Sequence, residues 1–526
     1  MDFLVHHMLR RSAARHPEKE ALVHGAQRLT YAQVERAVNA LGYGLKSAGI
    51  ERGDRVGILL EPSVAQALSI FAVSSASAAF VPINQLLFPE QVAHIVNDCR
   101  MKGLITTKAK LAALLPILKQ CPSLSFVVVL RDGEAPETEL PLYVFEDLCA
   151  ADPVVEHDLC IEKDLAAILY TSGSTGKPKG VMLSHGQIIA GASSVSSYLG
   201  ITEKDRILAV LPFSFDAGLN QLTTAFQQGG TIVMTTFTFA REIVQVLAGE
   251  QITGLAGVPT LWALLAQPQS TLQKTPLPNL RYITNTGGAM PQAVLAVLRK
   301  VLTTTRIFLM YGFTEAFRAT YLPPEELDRR PTSMGKAIPG SEILVINDRG
   351  ELCKPGEVGE LVQRGPTVSL GYWERPELTE RMFRPHPFVP ADHRDGEKIC
   401  YSGDLVKTDE EGFLYFVGRR DTMIKSSGYR ISPTEVEEVL FQSGRVRGAA
   451  VIGVPDEVLG QHIKAFVVPI DREGRDPDHL LTFCAEKMPR YMVPKTIEYL
   501  DELPKTSSGK VDYQKLRTLE TQGALQ

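Results

Sequence analysis

From Tyr31 to Gly49 the apolar residues Val34, Ala37, Val38, Leu41 and Leu45 recur at the spacing of one helix face, and Gly49 supplies a stop. Short β-rich runs then follow: RVGILLE at 55–61, AAILYT at 166–171, ILAVLPF at 207–213, TIVMTT at 231–236, LRYITN at 280–285 and RIFLMY at 306–311. Each is bounded by turn residues and separated from the next by a helix-length segment. This alternation predicts an α/β fold with largely parallel sheets.

Beyond about Arg330 the runs are shorter and punctuated by Gly and Pro. SEILVIND at 341–348, GELVQRG at 359–365 and GFLYFVG at 412–418 predict antiparallel strands joined by tight turns. From Asp421 the pattern starts afresh, with a helix opened by Ser432-Pro433-Thr434-Glu435, strands AAVIGVP and KAFVVPI, and a helix around Leu480 to Lys487. The expected organisation is a large unit, 1–420, of two parallel-type α/β subdomains plus a β-rich one, and a small α+β unit, 421–526.

A chain of 526 residues exceeds what one core usually supports, which agrees with at least two units. The formal net charge is −5 and no Lys/Arg block is long enough to track a phosphate backbone, so nucleic acid is not an expected partner. Seven cysteines, scattered and never spaced as C-x-x-C, indicate neither a disulfide framework nor a zinc site, and a reducing cytoplasm is the expected location. The stretch Pro62–Pro89 carries no charge, but its serines, glutamines, Asn84 and internal Pro82 fit a buried helix followed by a strand rather than a membrane span. No membrane association is expected.

The most informative segment is YTSGSTGKPKG, Tyr170 to Gly180, directly after the predicted strand LAAILY. Gly173, Gly176 and Gly180 let the backbone approach a ligand closely; the hydroxyls of Thr171, Ser172, Ser174 and Thr175 can donate hydrogen bonds, and Lys177 and Lys179 add positive charge. The segment is suited to gripping phosphates. It is not a Walker loop, because Gly173 and Gly176 are three apart and Pro178 follows Lys177. A Gly/Ser-rich surface turn would explain GSTG alone, but not eleven residues in this order.

The segment resembles the phosphate-binding loop of the adenylate-forming superfamily of acyl-CoA synthetases, nonribosomal-peptide adenylation domains and luciferases. Four further segments extend the resemblance over nearly the whole chain. YGFTE, with Tyr311, Gly312, Thr314 and Glu315, resembles the motif whose aromatic ring lies against adenine, whose threonine meets phosphate and whose glutamate helps hold magnesium. YSGDL supplies Asp404 for the ribose hydroxyls, and GRRDTMIKSSGYRISPTEVE resembles the interdomain hinge, with Arg419 near the ribose and Asp421 as pivot. LPKTSSGKVD resembles the C-terminal motif whose last lysine, here Lys510, reaches the active site. Gly287 and Gly288 are also expected at the nucleotide.

The resemblance implies ATP and Mg2+ as requirements and a two-step reaction: a carboxylic acid becomes its acyl-AMP, and the acyl group then passes to a thiol. Joining a carboxylate to a triphosphate brings two anions together, so catalysis is mostly charge neutralisation and positioning, the work implied for Lys510, Glu315 with magnesium, and the loop amides. Between the steps the family swings its C-terminal domain about the hinge, which places Gly428 on the wall of a thiol tunnel.

In LPFSFDAGLNQ, Phe215 stands about where many acyl-CoA synthetases have histidine, and Asp216 follows. A carboxylate in an acyl pocket needs a cation, and in amino-acid-activating members it pairs with the substrate ammonium. Arg318 lies on the pocket wall of such members and suits a second carboxylate. Asn220, Thr284 and Thr286 complete the expected wall, with Asn285 beside them. The alternative is that Arg318 and Asp216 simply neutralise each other across the pocket, or that Arg318 points to solvent. The expected acid is thus an amino acid, in particular an amino dicarboxylic one, and the runs around Asp216 and Arg318 also resemble exosortase A-associated acyl-CoA ligases and enzymes that load β-amino acids onto carrier proteins. The acceptor is a separate acyl or peptidyl carrier protein, or CoA. The competing expectations are a ligase for a simple hydrophobic or aromatic acid, and a nucleotide-binding regulator without catalysis; all the motif residues that catalysis needs are present.

Overall fold

The β-rich runs assemble into four sheets in a computed structural model that describes residues 2–134, 136–153, 157–171, 178–393, 396–420, 422–426, 429–456, 459–471, 475–506 and 509–523. An eight-stranded sheet is parallel from Leu142–Val144 through Phe126–Val129, Gly103–Thr106, Arg55–Leu59 and Ala79–Pro82 to Leu165–Thr171. Lys179–Ser184 and Gly371–Tyr372 extend it antiparallel. A nine-stranded sheet has Arg306–Tyr311, Tyr282–Asn285, Gly254–Gly257, Arg206–Ala209, Thr231–Met234 and Glu20–His24 as parallel neighbours, with antiparallel strands at both edges. The expectation of largely parallel sheets holds for both.

One continuous core joins these two sheets through helices Val5–Arg15, Tyr31–Ser47, Val64–Ser75, His185–Leu199 and Asp216–Gln228. This explains the uncharged stretch: Val64–Ser75 is buried along nearly its whole length, where a charge would have to be desolvated. Its few polar groups bond the backbone, as when Gln66 Nε2 donates to the Leu60 carbonyl and Ser69 Oγ to that of Ala65. No helix among the described residues is long and apolar enough to cross a membrane.

The five-stranded third sheet is antiparallel and contains Glu342–Ile346, Gly359–Arg364, Lys398–Thr408 and Leu414–Arg419. The fourth, built from residues beyond 423, pairs Val446–Asp456 with Gly460–Pro469 and packs on helices Pro433–Gln442 and Pro477–Lys487. The architecture is thus a large part with two parallel-type sheets and a β-rich sheet, followed by a small α+β part. The phosphate-loop region departs from a plain strand–helix alternation. Thr171 pairs with Lys179 in a hairpin, so the Gly/Ser-rich segment joins two antiparallel strands rather than a strand and a helix.

Helix Val5–Arg15 is fastened by polar groups. Asp158 accepts from His6 Nε2 and His7 Nε2, each at 2.9 Å, and from Arg10 Nη1 at 3.1 Å. The backbone N–H of Val5 donates to Nδ1 of His185, which is fully buried. Burial, and secondarily the positive field of His6, lowers the His185 pKa to about 3. The native state therefore keeps this imidazole neutral, while the unfolded chain takes up a proton below about pH 6.5. Stability should fall as pH drops below about 6.5, with His185 contributing a slope of about 1.4 kcal/mol per pH unit. Urea midpoints between pH 4.5 and 7 should show His185→Gln losing about one proton's worth of that slope.

Candidate active site

Glu315 stands in the single 3-10 turn Thr314–Ala316, just after strand Arg306–Tyr311. Its Oε1 accepts from the Tyr372 hydroxyl at 2.5 Å and faces Lys179 Nζ at 3.2 Å, while Lys179 also donates to the Tyr372 oxygen at 2.8 Å. Burial alone would raise the Glu315 pKa, but the Lys179 charge and the Tyr372 hydroxyl outweigh it and hold the carboxyl below its ordinary value. The Tyr372 phenol shifts the other way, raised by burial and then by the neighbouring carboxylate. The result is a buried, ionised oxygen donor, which is the ligand type that magnesium takes alongside substrate phosphates. Thr314 is its immediate neighbour.

Thr171 ends its strand with a buried hydroxyl that has no hydrogen-bond partner among the described residues. The remaining candidates of the phosphate loop, Ser172, Gly173, Ser174, Thr175, Gly176 and Lys177, lie outside the described residues, as do Asp421 and Gly428.

Tyr311, Asp404 and Arg419 meet at a second corner. The Tyr311 hydroxyl donates to Asp404 Oδ2, and Arg419 Nη1 lies 3.2 Å from Asp404 Oδ1 across paired strands. Gly403, with φ +74°, turns the chain in the left-handed region just before Asp404, beside Arg419. Gly312 follows Tyr311 and backs onto the main chain of Arg318.

Lys510 belongs to the turn where the Thr506 N–H donates to the Lys510 carbonyl at 2.8 Å. It comes from the small C-terminal part, yet a Cβ built on Gly287 would meet its Cε at 3.6 Å. Gly287 has φ +78°, and the following Gly288 carbonyl accepts from Asn285 Nδ2 at 2.8 Å. The structure therefore brings Lys510 to the glycine pair at the carboxyl end of strand Tyr282–Asn285.

Asn220, Thr284, Thr286 and Arg318 line one small cavity, together with Gln221, Thr224, Ala256 and Met310. Val195, Leu199, Ile201 and Ile207 also line it and give it an apolar side. Arg318 is only 3% exposed and its Nε has no hydrogen-bond partner among the described residues; the same holds for Asn220 Nδ2. Asp216, 18% exposed at its side chain, places Oδ2 4.0 Å from Arg318 Nη1, too far for a direct hydrogen bond. Neither Phe215, the N-cap of the helix Asp216–Gln228, nor Asp216 itself is among the cavity-lining residues; Asp216 approaches the cavity through Arg318. Asn285 is likewise turned to the Gly288 carbonyl instead.

Several site residues escape a reading of the sequence alone. Tyr372 reaches Glu315 only because Gly371–Tyr372 pairs with Lys179–Ser184, a long-range pairing that no local pattern announces. Ala256 looks like an ordinary strand residue until its parallel neighbour sets it beside Thr284, and Met310 until its strand brings it to the same cavity.

Residues 9–373 match the model of the AMP-binding enzyme family, and residues 435–510 match that of its C-terminal domain. The chain is 33% identical over 511 residues to a feruloyl-CoA synthase of Amycolatopsis sp, covering 95% of this chain and 96% of that one. It is 31% identical over 512 residues to a linear gramicidin synthase polypeptide of Brevibacillus parabrevis, covering 97% of this chain but only 9% of that protein. Among solved structures, the anthranilate CoA ligase AuaEII in complex with anthranoyl-AMP superposes with a TM-score of 0.89 at 29% identity, over 99% of this chain and 98% of that one.

A buried guanidinium held 4.0 Å from its carboxylate is costly to the empty protein. Arg318→Met should therefore leave stability unchanged or raise it, by up to about 2 kcal/mol. Asp216→Ala, which strands the cation, should lower it by about 1–2 kcal/mol. Urea midpoints of the two variants check both signs.

Proposed function

The chain belongs to the AMP-binding enzyme family and is an AMP-forming ligase, and we propose that its acid is an amino acid with a second acidic group, delivered finally to a thiol. The observation that carries the substrate is the open Arg318–Asp216 pair. Two buried donors, Arg318 Nε and Asn220 Nδ2, lack partners among the described residues and line the same cavity. A substrate carboxylate would satisfy them, and its ammonium would take the Asp216 carboxylate, so each charge would gain a close hydrogen-bonded partner when the substrate is bound.

In the first step an oxygen of the reacting carboxylate attacks the α-phosphorus of ATP; the new O–P bond forms as the bond to pyrophosphate breaks. Lys510, beside Gly287, offsets the negative charge that gathers there, and Thr171, the loop 172–177 and Thr314 hold the phosphates. Tyr311 and Gly312 serve the adenine, and Asp404 with Arg419 the ribose. Glu315 would hold the magnesium ion, whose chemistry is to neutralise phosphate charge. Lys179 and Tyr372 keep that carboxylate ionised and aimed.

In the second step a thiol attacks the acyl carbon and AMP leaves. We assign 1–420 as the adenylation core and 421–526 as a mobile domain turning at Asp421, which withdraws Lys510 and sets Gly428 beside the incoming thiol. The thiol is that of a separate carrier protein, or else of CoA. The apolar side of the cavity, Val195, Leu199, Ile201 and Ile207, favours a second reading, a CoA ligase for a hydrophobic or aromatic acid.

Acid-dependent ATP–pyrophosphate exchange separates the two. Amino dicarboxylic acids should support exchange in the wild type, Asp216→Ala should lose about 100-fold in kcat/KM, and Arg318→Met should lose its preference for the second carboxylate. Exchange only with simple acids, indifferent to Asp216→Ala, would establish the second reading instead. Lys510→Ala should lower exchange about 100-fold or more with little effect on KM for the acid, because its charge is needed in the transition state.

A further inference from the structure

Arg318 faces the cavity while its neighbour Phe317 lies in the core, and the backbone between them turns within a single residue. The Arg318 N–H donates to the Ala316 carbonyl at 2.6 Å, and Phe317 at the centre of this turn has φ +55° and ψ −42°. A bulky residue with positive φ is strained, and such strain persists only where the surroundings over-determine it. They do so here on two sides. The Phe317 ring is fully buried against Gly191 of helix His185–Leu199, where a Cβ would come within 2.4 Å of Cδ1 and 2.6 Å of Cε1. Only glycine leaves that notch open. From the other side, Gln363 Nε2 donates to the Arg318 carbonyl at 2.6 Å and Thr367 Oγ1 to the same oxygen at 3.3 Å. Both side chains are buried, and Gln363 also donates to Thr367 at 3.0 Å.

We propose that Gly191, Phe317 and Gln363 are positioning residues that set the reach of the Arg318 guanidinium into the cavity, and through it the choice of acid. The notch, the strained turn and the clamped carbonyl fix the Arg318 main chain, so little of its freedom is left beyond the side-chain torsions. A guanidinium whose origin is fixed can select a carboxylate at one depth of the cavity; a loose one follows any polar group. This inference rests on the substrate reading above.

The test compares exchange kinetics for an amino dicarboxylic acid and its side-chain amide, which differ at the group Arg318 would bind. In Gly191→Ala, kcat/KM for the dicarboxylic acid should fall about tenfold, mainly through KM, while the value for the amide and the KM for ATP stay within about twofold of wild type. Adding Phe317→Leu should restore most of the loss, because a smaller side chain refills the narrowed notch; a Cβ that merely obstructed the acid would not be rescued this way. Gln363→Leu, which removes the clamp without touching the notch, should lose the same discrimination and serves where Gly191→Ala folds poorly. An equal fall for both acids, or a preference that vanishes in Arg318→Met yet survives in Gly191→Ala and Gln363→Leu, would overturn the positioning role and leave the substrate reading standing. No preference in the wild type would overturn the substrate reading and this inference with it.

Discussion

A buried charge needs a fixed opposite partner, and the site is organised by how far each of its charges has one. Glu315 has Lys179 and Tyr372, and Asp404 has Tyr311 and Arg419, so both carboxylates are held before any ligand arrives. The Arg318–Asp216 pair is different: it sits at 4.0 Å, with Arg318 Nε and Asn220 Nδ2 left over. The two closed corners are satisfied within the protein, while the open pair is not, and it is on this pair that the proposed choice of acid rests. An open pair is costly until filled, and that cost is the physical origin of selectivity, because a ligand that leaves the pair open gains nothing from it.

The scaffold delivers these groups through the carboxyl ends of neighbouring parallel strands. Ala256 lies on Gly254–Gly257, Thr284 and the Gly287–Gly288 turn lie on or after Tyr282–Asn285, and Met310, Tyr311 and Glu315 lie on or after Arg306–Tyr311. In open α/β sheets this edge is where ligands bind, since successive loops converge there on a rigid base. The second sheet contributes Thr171 and Lys179 from its hairpin, the β-rich sheet contributes Asp404 and Arg419, and Lys510 arrives from the small C-terminal part. All three sheets of the large part, and the small C-terminal part, thus supply at least one of these charged or hydroxyl-bearing side chains.

Most of this was legible from short segments whose chemistry is local. The phosphate loop, Tyr311 to Glu315, Asp404 and Lys510 were named from short segments that resemble family motifs, and the helix Tyr31–Ser47 and strands such as Arg55–Leu59, Arg206–Ala209 and Arg306–Tyr311 follow from apolar spacing and β-rich runs. What remained hidden depends on contacts between distant segments. Tyr372 is drawn to Glu315 by a two-residue strand, and the Gly191 notch is more than a hundred residues from the Phe317 ring that fills it. The antiparallel pairing of Lys179–Ser184 with Leu165–Thr171 was hidden too, because no local pattern announces which strand a short apolar run will join. Phe215 and Asp216 show how local order falls short of position: both stand at the start of helix Asp216–Gln228, and the cavity is lined from the next residues, Ala217, Asn220, Gln221 and Thr224.

The most direct test of the open-pair account is binding, free of turnover and of the thiol acceptor. Two stable sulfamoyl-adenosine mimics of the acyl-adenylate, identical except for a side-chain carboxylate or carboxamide, should be titrated into the protein calorimetrically. The account predicts that the carboxylate form binds about 100-fold more tightly, close to 2.7 kcal/mol, and that Arg318→Met abolishes the difference. Equal affinity for the two mimics in the wild type would contradict it, and would return Arg318 and Asp216 to the role of a structural pair that neutralises itself.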